Sequence, residues 1–181
     1  MINVRFSALC CLAGFALLSA CGNPSKPQKA NDANTVESHE TQIKEQFVTA
    51  NKKLLQKEND DMDAYCRSHK MPFVKTASGI RYYVYAASLK GDSIREGNIV
   101  HLKYKLYLLD GTLAYSSAVD GEKDIEVGKE DIESGLHKGL QLLKRGDKAY
   151  LMIPSPLAHG LLGDMKKIPP QMPIVYDLEV N

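Results

Sequence analysis

The stretch IPSPLAHGLLGDMKKIPPQMPIVYDLEV, residues 153–180, joins a proline-rich loop to an alternating apolar run. In the run, Ile174, Tyr176, Leu178 and Val180 recur at every second position, which predicts a strand with one buried face. Four prolines restrict the backbone of the preceding loop and a fifth, at position 173, comes just before the strand, so little ordering is needed when a ligand binds there. The stretch therefore predicts a stiff loop, here called the rim loop (residues 154–170), followed by a half-buried strand.

Upstream segments predict the rest of a sheet. Two long segments, 79–86 and 99–111, alternate apolar and polar residues, and Asp110-Gly111 ends the second with a strong hairpin signal. Shorter strands are predicted within 112–117, 123–129 and 148–154. Between them, one short helix ending near Gly146 is indicated by apolar residues at helical spacing, namely Ile132, Leu136, Leu140 and Leu143. Five or six strands wrapping one short helix form an α+β fold within residues 72–181.

A long charged helix is predicted before this body, over residues 35–71. Residues 35–70 contain no proline or glycine, and a thin apolar stripe recurs at spacings near three and four: Val36, Ile43, Phe47, Ala50, Leu54, Met62 and Tyr65. The stripe could dock on its own domain, pair with a second copy to form a homodimer, or belong to a solvated stalk. Cys66 is expected to be a free thiol on or near this helix.

The first 21 residues predict a targeting segment. Arg5 precedes an apolar run and small residues, which is the layout of a secretory signal peptide; plain secretion or a retained membrane helix are the alternatives. The ending LSAC resembles the bacterial lipobox, which implies cleavage before Cys21 and its lipidation, with ~0.8 kcal/mol of anchoring per buried methylene. A flexible tether follows over residues 22–34. Because residue 22 is glycine and not aspartate, the resemblance implies the outer membrane, with the body facing the periplasm.

Composition and motifs exclude several function classes. The 181 residues carry a net charge of +1 and no clustered basic face, so no nucleic-acid partner is expected. The sequence has no recognisable catalytic triad, metal-ligand cluster or glycine-rich phosphate loop. We therefore expect neither a cofactor nor a metal.

Three segments between residues 96 and 180 together resemble the FK506-binding-protein family of peptidyl-prolyl cis-trans isomerases. They are EGNIVHLKYKLYLLDGTLAYSS, VGKEDIESGLHKGLQLLKRGDKAYLMIPSPLAHG and KIPPQMPIVYDLEV, in the family's order. With the lipobox and the charged stretch NKKLLQKEND, the whole chain is similar to the FKBP-type lipoproteins of Bacteroidota, including the gliding-motility-associated branch. The resemblance implies a curled antiparallel sheet around a helix, with proline-containing proteins as substrates.

The resemblance also implies an apolar cleft between helix and sheet, overhung by the rim loop. Tyr104 and Tyr176 would form aromatic walls, and Leu136 would form the floor. Three residues would contact the substrate: Ile132, Ile168 and His159. Ile168 lies in the rim loop, and His159 stands where the family has an aromatic residue with a hydroxyl group. The implied catalytic residues are thus Tyr104, Ile132, His159, Ile168 and Tyr176, with Tyr115, Val127 and Leu136 binding substrate. Periodicity alone instead favours core positions for Tyr104, Leu136 and Tyr176, since they lie on apolar faces.

Some positions depart from the family pattern. Ala114 and Tyr115 replace an aromatic residue and an aspartate, Leu136 replaces the floor tryptophan, and Lys123 stands at another aromatic position. These changes predict a wider, less aromatic pocket with weak isomerase activity, and Asp164 in the rim loop is expected to be solvated. The alternative function is a catalytically weak or inactive chaperone or protein-binding module, anchored to the membrane.

Overall fold

The structure is a computed structural model that describes residues 32–129 and 131–181, with side chains from residue 39 onward. The predicted signal peptide, Cys21 and residues 22–31 of the predicted tether lie outside the described residues. The chain divides into two units, Met1–Lys44 and Glu45–Asn181. The domain boundaries drawn from the sequence stay predictions.

The described part of the chain begins with one long helix, which strands and short helices follow. The helices are α1 (Asp32–Ser68), α2 (Ser117–Asp120) and α3 (Ser134–Leu140), with a 3-10 turn at Ser155–Leu157. The strands are β1 (Val74–Lys75), β2 (Arg81–Ala86), β3 (Ile99–Leu108), β4 (Leu113–Ser116), β5 (Lys123–Glu126), β6 (Lys148–Ile153) and β7 (Ile174–Val180). All strand pairs are antiparallel, in the order β1-β2-β6-β7-β3-β4, and β5 also pairs with β3.

This architecture confirms the predicted α+β fold with a long N-terminal helix. The sheet has seven strands where five or six are predicted, because β1 adds a two-residue strand. The predicted turn at Asp110-Gly111 joins β3 to β4, and Gly111 adopts φ +85°, a backbone conformation that favours glycine. The predicted short helix ends at Leu140, so Leu143 is buried outside it.

Strand β3 and helix α3 build the main core. The alternate β3 side chains are buried as predicted: Val100, Leu102, Tyr104, Leu106 and Leu108. Helix α3 packs on β6 at very short range, since a Cβ atom added to Gly139 would lie 2.2 Å from a methyl carbon of Leu151. Each buried apolar side chain contributes about 1.5–3 kcal/mol, so this packing fixes α3 against the sheet.

The other face of the sheet is covered by the C-terminal half of α1. Met62 is fully buried there with Met152 and Val175. Arg81, which strand alternation places on the exposed side of β2, is only 1% exposed because α1 lies over it. Its Nε and Nη2 atoms donate to Oδ1 of Asp63 on α1 at 2.8 and 2.5 Å. Sequence alternation is therefore wrong about the environment of Arg81.

A second polar contact ties α1 to the start of the rim loop. The two carboxylate oxygens of Glu58 accept hydrogen bonds from the backbone N–H and the hydroxyl of Ser155, at 2.6 and 2.5 Å. Ser155 is buried and opens the 3-10 turn that leads to His159. The position of α1 and the position of the rim loop are thus coupled.

The preceding part of α1 leaves its apolar stripe in solvent. Phe47 is 66% exposed and Leu54 is 46% exposed. Cys66 is partly buried and forms no disulfide with another described residue. Within residues 32–129 and 131–181, no helix combines the length and the apolar character that crossing a membrane requires.

Candidate functional site

A small hollow lies between strands β3, β5 and β7 and the start of α3. Its volume is about 20 Å³, and it is lined by Leu102, Tyr104, Lys123, Ile125, Ile132, Glu133, Leu136 and Tyr176. That volume has room for about one water molecule and not for a prolyl ring. The hollow is therefore small as the structure stands, and Lys123 and Glu133 line it beside the aromatic rings.

Tyr104 and Tyr176 form an aromatic corner of the hollow. Their ring centroids lie 6.1 Å apart at an interplanar angle of 68°, an edge-to-face arrangement. Burial raises the pKa of both hydroxyls, and for Tyr176 the nearby Glu133 carboxylate raises the pKa further. Both side chains are therefore neutral at pH 7, and Tyr176 can act as a hydrogen-bond donor.

Glu133 is the polar member of the hollow that the sequence analysis missed. Its Oε1 accepts a hydrogen bond from the Tyr176 hydroxyl at 3.1 Å. Nε2 of His159 lies 2.9 Å from the same oxygen but without the alignment of a hydrogen bond. The sequence contains a signal that could have identified Glu133. Position 133 lies at helical spacing from Leu136, Leu140 and Leu143, so an acidic residue stands on the apolar face of the predicted helix.

Lys123 supplies a positive charge at another part of the same wall. Its Nζ lies 5.5 Å from the centroid of the Tyr104 ring, within the range of a cation–π interaction. The sequence comparison with the family pattern places an aromatic residue at this position. The hollow is thus lined by aromatic and aliphatic carbon with one cation and one carboxylate.

The predicted site residues divide into two groups. The structure brings Tyr104, Ile132, Leu136 and Tyr176 together in the wall of the hollow, with His159 beside it through Glu133. The others do not line the hollow: Val127 and Ile168 are buried in the core, and Tyr115 packs against that core. Nothing measured on this chain tests their roles, which stay predictions.

Asp164 organises the rim loop around Ile168. Its Oδ1 accepts hydrogen bonds from the backbone N–H groups of Lys166, Lys167 and Ile168 at 2.9, 2.9 and 2.7 Å, and its Oδ2 accepts one from the Tyr115 hydroxyl. Burial alone would raise the pKa of Asp164, but these hydrogen bonds lower it to about 2. The prediction of a solvated Asp164 is therefore wrong, and the N–H of Ile168 is already engaged.

A larger groove of about 1010 Å³ runs between α1 and the rim loop. Leu54 and Leu55 of α1 line one side, and Leu161 and Met172 are among the residues that line the other. All of its lining residues belong to the unit Glu45–Asn181. Its size and apolar side chains make it a second concave surface that could accept a peptide segment.

An antiparallel sheet packed on one short helix, with an aromatic hollow between them, defines an α+β domain with a candidate binding site. The sequence profile of the family described as FKBP-type peptidyl-prolyl cis-trans isomerase matches residues 91–181, and the chain belongs to this family.

Curated relatives and solved structures agree with this assignment. The chain is 30% identical over 167 residues to the FKBP-type peptidyl-prolyl cis-trans isomerase FkpA of Escherichia coli, covering 89% of this chain and 59% of that protein. It is 32% identical over 105 residues to a probable FKBP-type peptidyl-prolyl cis-trans isomerase of Haemophilus influenzae, covering 58% of this chain and 43% of that protein. The chain thus spans about half the length of the curated relatives it matches.

Two crystal structures are similar in fold and in sequence. The structure of FkpA from Escherichia coli aligns with a TM-score of 0.60 and 26% identity, over 86% of this chain and 73% of that chain. A peptidyl-prolyl cis-trans isomerase of Pseudomonas syringae aligns with a TM-score of 0.60 and 25% identity, over 71% of this chain and 92% of that chain. The likeness to FkpA extends beyond the family profile toward the N-terminal helix.

Proposed function

We propose that this chain is a peptidyl-prolyl cis-trans isomerase that assists the folding of proline-containing envelope proteins. The observation that carries the proposal is the hollow walled by Tyr104, Tyr176, Ile132 and Leu136 within a domain of the FKBP-type family. The hollow is the place where the family fold offers aromatic and aliphatic walls to a prolyl ring. Because the hollow has about 20 Å³ of free volume, it must widen when a prolyl ring enters.

The proposed mechanism needs no covalent step. Rotation about an X–Pro bond crosses a barrier of ~18–20 kcal/mol, because amide resonance is lost when the bond is twisted. The twisted amide has less charge separation than the planar one, so a water-poor aromatic wall favours the twisted form. The N–H of Ile168 already donates to Asp164, so the proposal depends on the shape and dryness of the hollow and not on that donor.

The direct test is an isomerisation assay on the chain without residues 1–21. Exchange NMR on a short Ala-Pro peptide measures cis-trans interconversion without a coupled protease. We expect catalysed exchange that saturates with peptide. Exchange at the uncatalysed rate, at protein concentrations where the peptide is bound, would reject the enzymatic function.

The finer placement of the protein is part of the proposal. We infer a lipoprotein of the Bacteroidota branch, lipidated at Cys21, anchored in the outer membrane and facing the periplasm. The LSAC sequence, the glycine at position 22 and the tether after it support this placement. Replacing Cys21→Ser should move the protein from the membrane fraction to the soluble periplasmic fraction; an unchanged distribution would contradict lipid anchoring.

A second candidate function is a weakly active or inactive chaperone or binding module. The groove of about 1010 Å³ beside a hollow of about 20 Å³ favours it, because the larger concavity can hold an extended segment as the structure stands. Suppression of client aggregation without catalysed isomerisation would support this function over the first.

A homodimer through α1 is also proposed. The exposed side chains of Phe47 and Leu54 would bury apolar area against a second copy. The double variant Phe47→Glu with Leu54→Glu should halve the molar mass measured by light scattering. Leu89→Glu, at a 99% exposed apolar position outside α1, is the matched control and should leave the mass unchanged. A wild-type mass equal to one chain would remove the proposal.

A further inference from the structure

Glu133 places a carboxylate in the wall of the hollow itself. Its side chain is 12% exposed, and it lies among Tyr176, Ile132 and Leu136. A carboxylate this far out of water is costly unless hydrogen bonds or a cation compensate it. The contacts of Glu133 therefore show which of its carboxylate oxygens still lacks a hydrogen-bond donor or a cation.

The protein compensates only one of the two carboxylate oxygens. Oε1 accepts a hydrogen bond from the Tyr176 hydroxyl and lies next to Nε2 of His159. For Oε2, the described residues provide no hydrogen bond, and no lysine or arginine among them forms an ion pair with Glu133. Lys123, the cation of the hollow, is instead placed over the Tyr104 ring. One oxygen is thus left for water or for a bound ligand.

Substrate entry increases the free-energy cost of keeping the Glu133 carboxylate out of water. A prolyl ring that enters the hollow displaces the water near Oε2 and deepens the desolvation of the carboxylate. The cost is smallest when the ligand brings its own cation or N–H donor, since hydrogen bonds to a charged group are stronger than those between neutral groups. An acidic side chain has the opposite effect, because two carboxylates repel at short range.

We infer that Glu133 is a specificity-determining residue, which makes the hollow select prolines flanked by lysine or arginine and reject prolines flanked by aspartate or glutamate. The inference rests on the proposed function in that it assumes the hollow receives proline. The volume of about 20 Å³ supports contact with a flanking residue: a hollow this small must widen to take the ring and has no space for its neighbours, so neighbouring side chains lie along its wall.

The test uses peptides that differ in one residue next to proline. One series places Lys, Gln or Glu before the proline, and a second series places the same residues after it. Both kcat/KM for isomerisation and the dissociation constant for binding, from NMR titration, are measured for the wild type and for Glu133→Gln. We expect the wild type to favour Lys over Glu by roughly tenfold in one of the two series, and Glu133→Gln to reduce this ratio to within about twofold.

One control variant, together with the comparison of binding and turnover, separates the possible outcomes. Glu122→Gln removes a carboxylate that pairs with His101 at the surface and does not line the hollow, so it should keep the wild-type ratio. If no peptide is isomerised but the Lys-containing peptide binds more tightly and Glu133→Gln removes that preference, the enzymatic function fails and the selectivity holds. Equal Lys-to-Glu ratios in the wild type and in folded Glu133→Gln protein overturn the inference.

Discussion

Replacing Arg81→Met is expected to lower the free energy of unfolding of the chain by about 3 kcal/mol. Arg81 is nearly fully buried between β2 and α1, and its guanidinium donates two hydrogen bonds to Asp63. It also donates to the carbonyl oxygens of Gly79 and Asn59, at 2.9 and 3.1 Å. Methionine has a similar length but no donor, so the two carbonyl oxygens and the Asp63 carboxylate all lose their hydrogen bonds from the guanidinium.

The size of the effect follows from the exposure of Asp63. A fully buried pair that loses one partner costs about 3–5 kcal/mol, whereas solvent reaches the Asp63 side chain and screens part of the loss. The value therefore lies at the low end of that range. Unfolding in urea, followed by far-UV circular dichroism, measures it, and hydrogen exchange in the α1 residues next to Asp63 shows whether the helix undocks first.

Lys75→Met is the matched control for Arg81→Met. Lys75 also pairs with Asp63, at 3.5 Å, but both side chains of that pair are solvent-exposed. Removing it should cost less than about 1 kcal/mol. Similar losses from the two variants would mean that Arg81 contributes only as a surface charge, which contradicts the buried anchor described here.

Arg81 also shows why the sequence could predict the fold but not every environment. Alternation identified the buried face of β3 because that strand has one dry face and one wet face. On β2 the same rule failed, since α1 covers the second face with Met62 and buries Arg81. Nothing in the local pattern of residues 79–86 reveals a helix that packs there from a distant part of the chain.

For the site, the sequence predicts which residues form the wall of the hollow but not its free volume or the contacts of Asp164. Family motifs located Tyr104, Ile132, Leu136 and Tyr176, and the structure brings these four together. The free volume of the hollow depends on how side chains such as Glu133 and Lys123 pack along its wall, which motif order does not specify. The role of Asp164 was missed for another reason: its partner Tyr115 lies 49 positions away in the chain, so their contact exists only after folding.

Tyr104→Ala is expected to lower kcat/KM for an Ala-Pro peptide by at least about tenfold. The ring forms one side of the hollow and meets Tyr176 edge to face, so its loss opens the hollow to water. Water stabilises the planar amide relative to the twisted one, which raises the barrier on the enzyme. Tyr104→Phe should stay within about twofold of the wild type, because the described residues provide no hydrogen bond to the Tyr104 hydroxyl.

Core damage must be separated from damage to the hollow in this experiment. Met152→Ala is the matched control, since Met152 is fully buried in the cluster under α1, on the other face of the sheet. Both alanine variants should lower the free energy of unfolding by about 2–5 kcal/mol, but only Tyr104→Ala should reduce kcat/KM under conditions where each protein is folded. Equal losses of kcat/KM in the two variants would show that activity follows stability and would remove Tyr104 from the site. If catalysis depends on the dry aromatic corner, the wild type, Tyr104→Phe and Met152→Ala have similar kcat/KM values. Tyr104→Ala then has a kcat/KM well below all three.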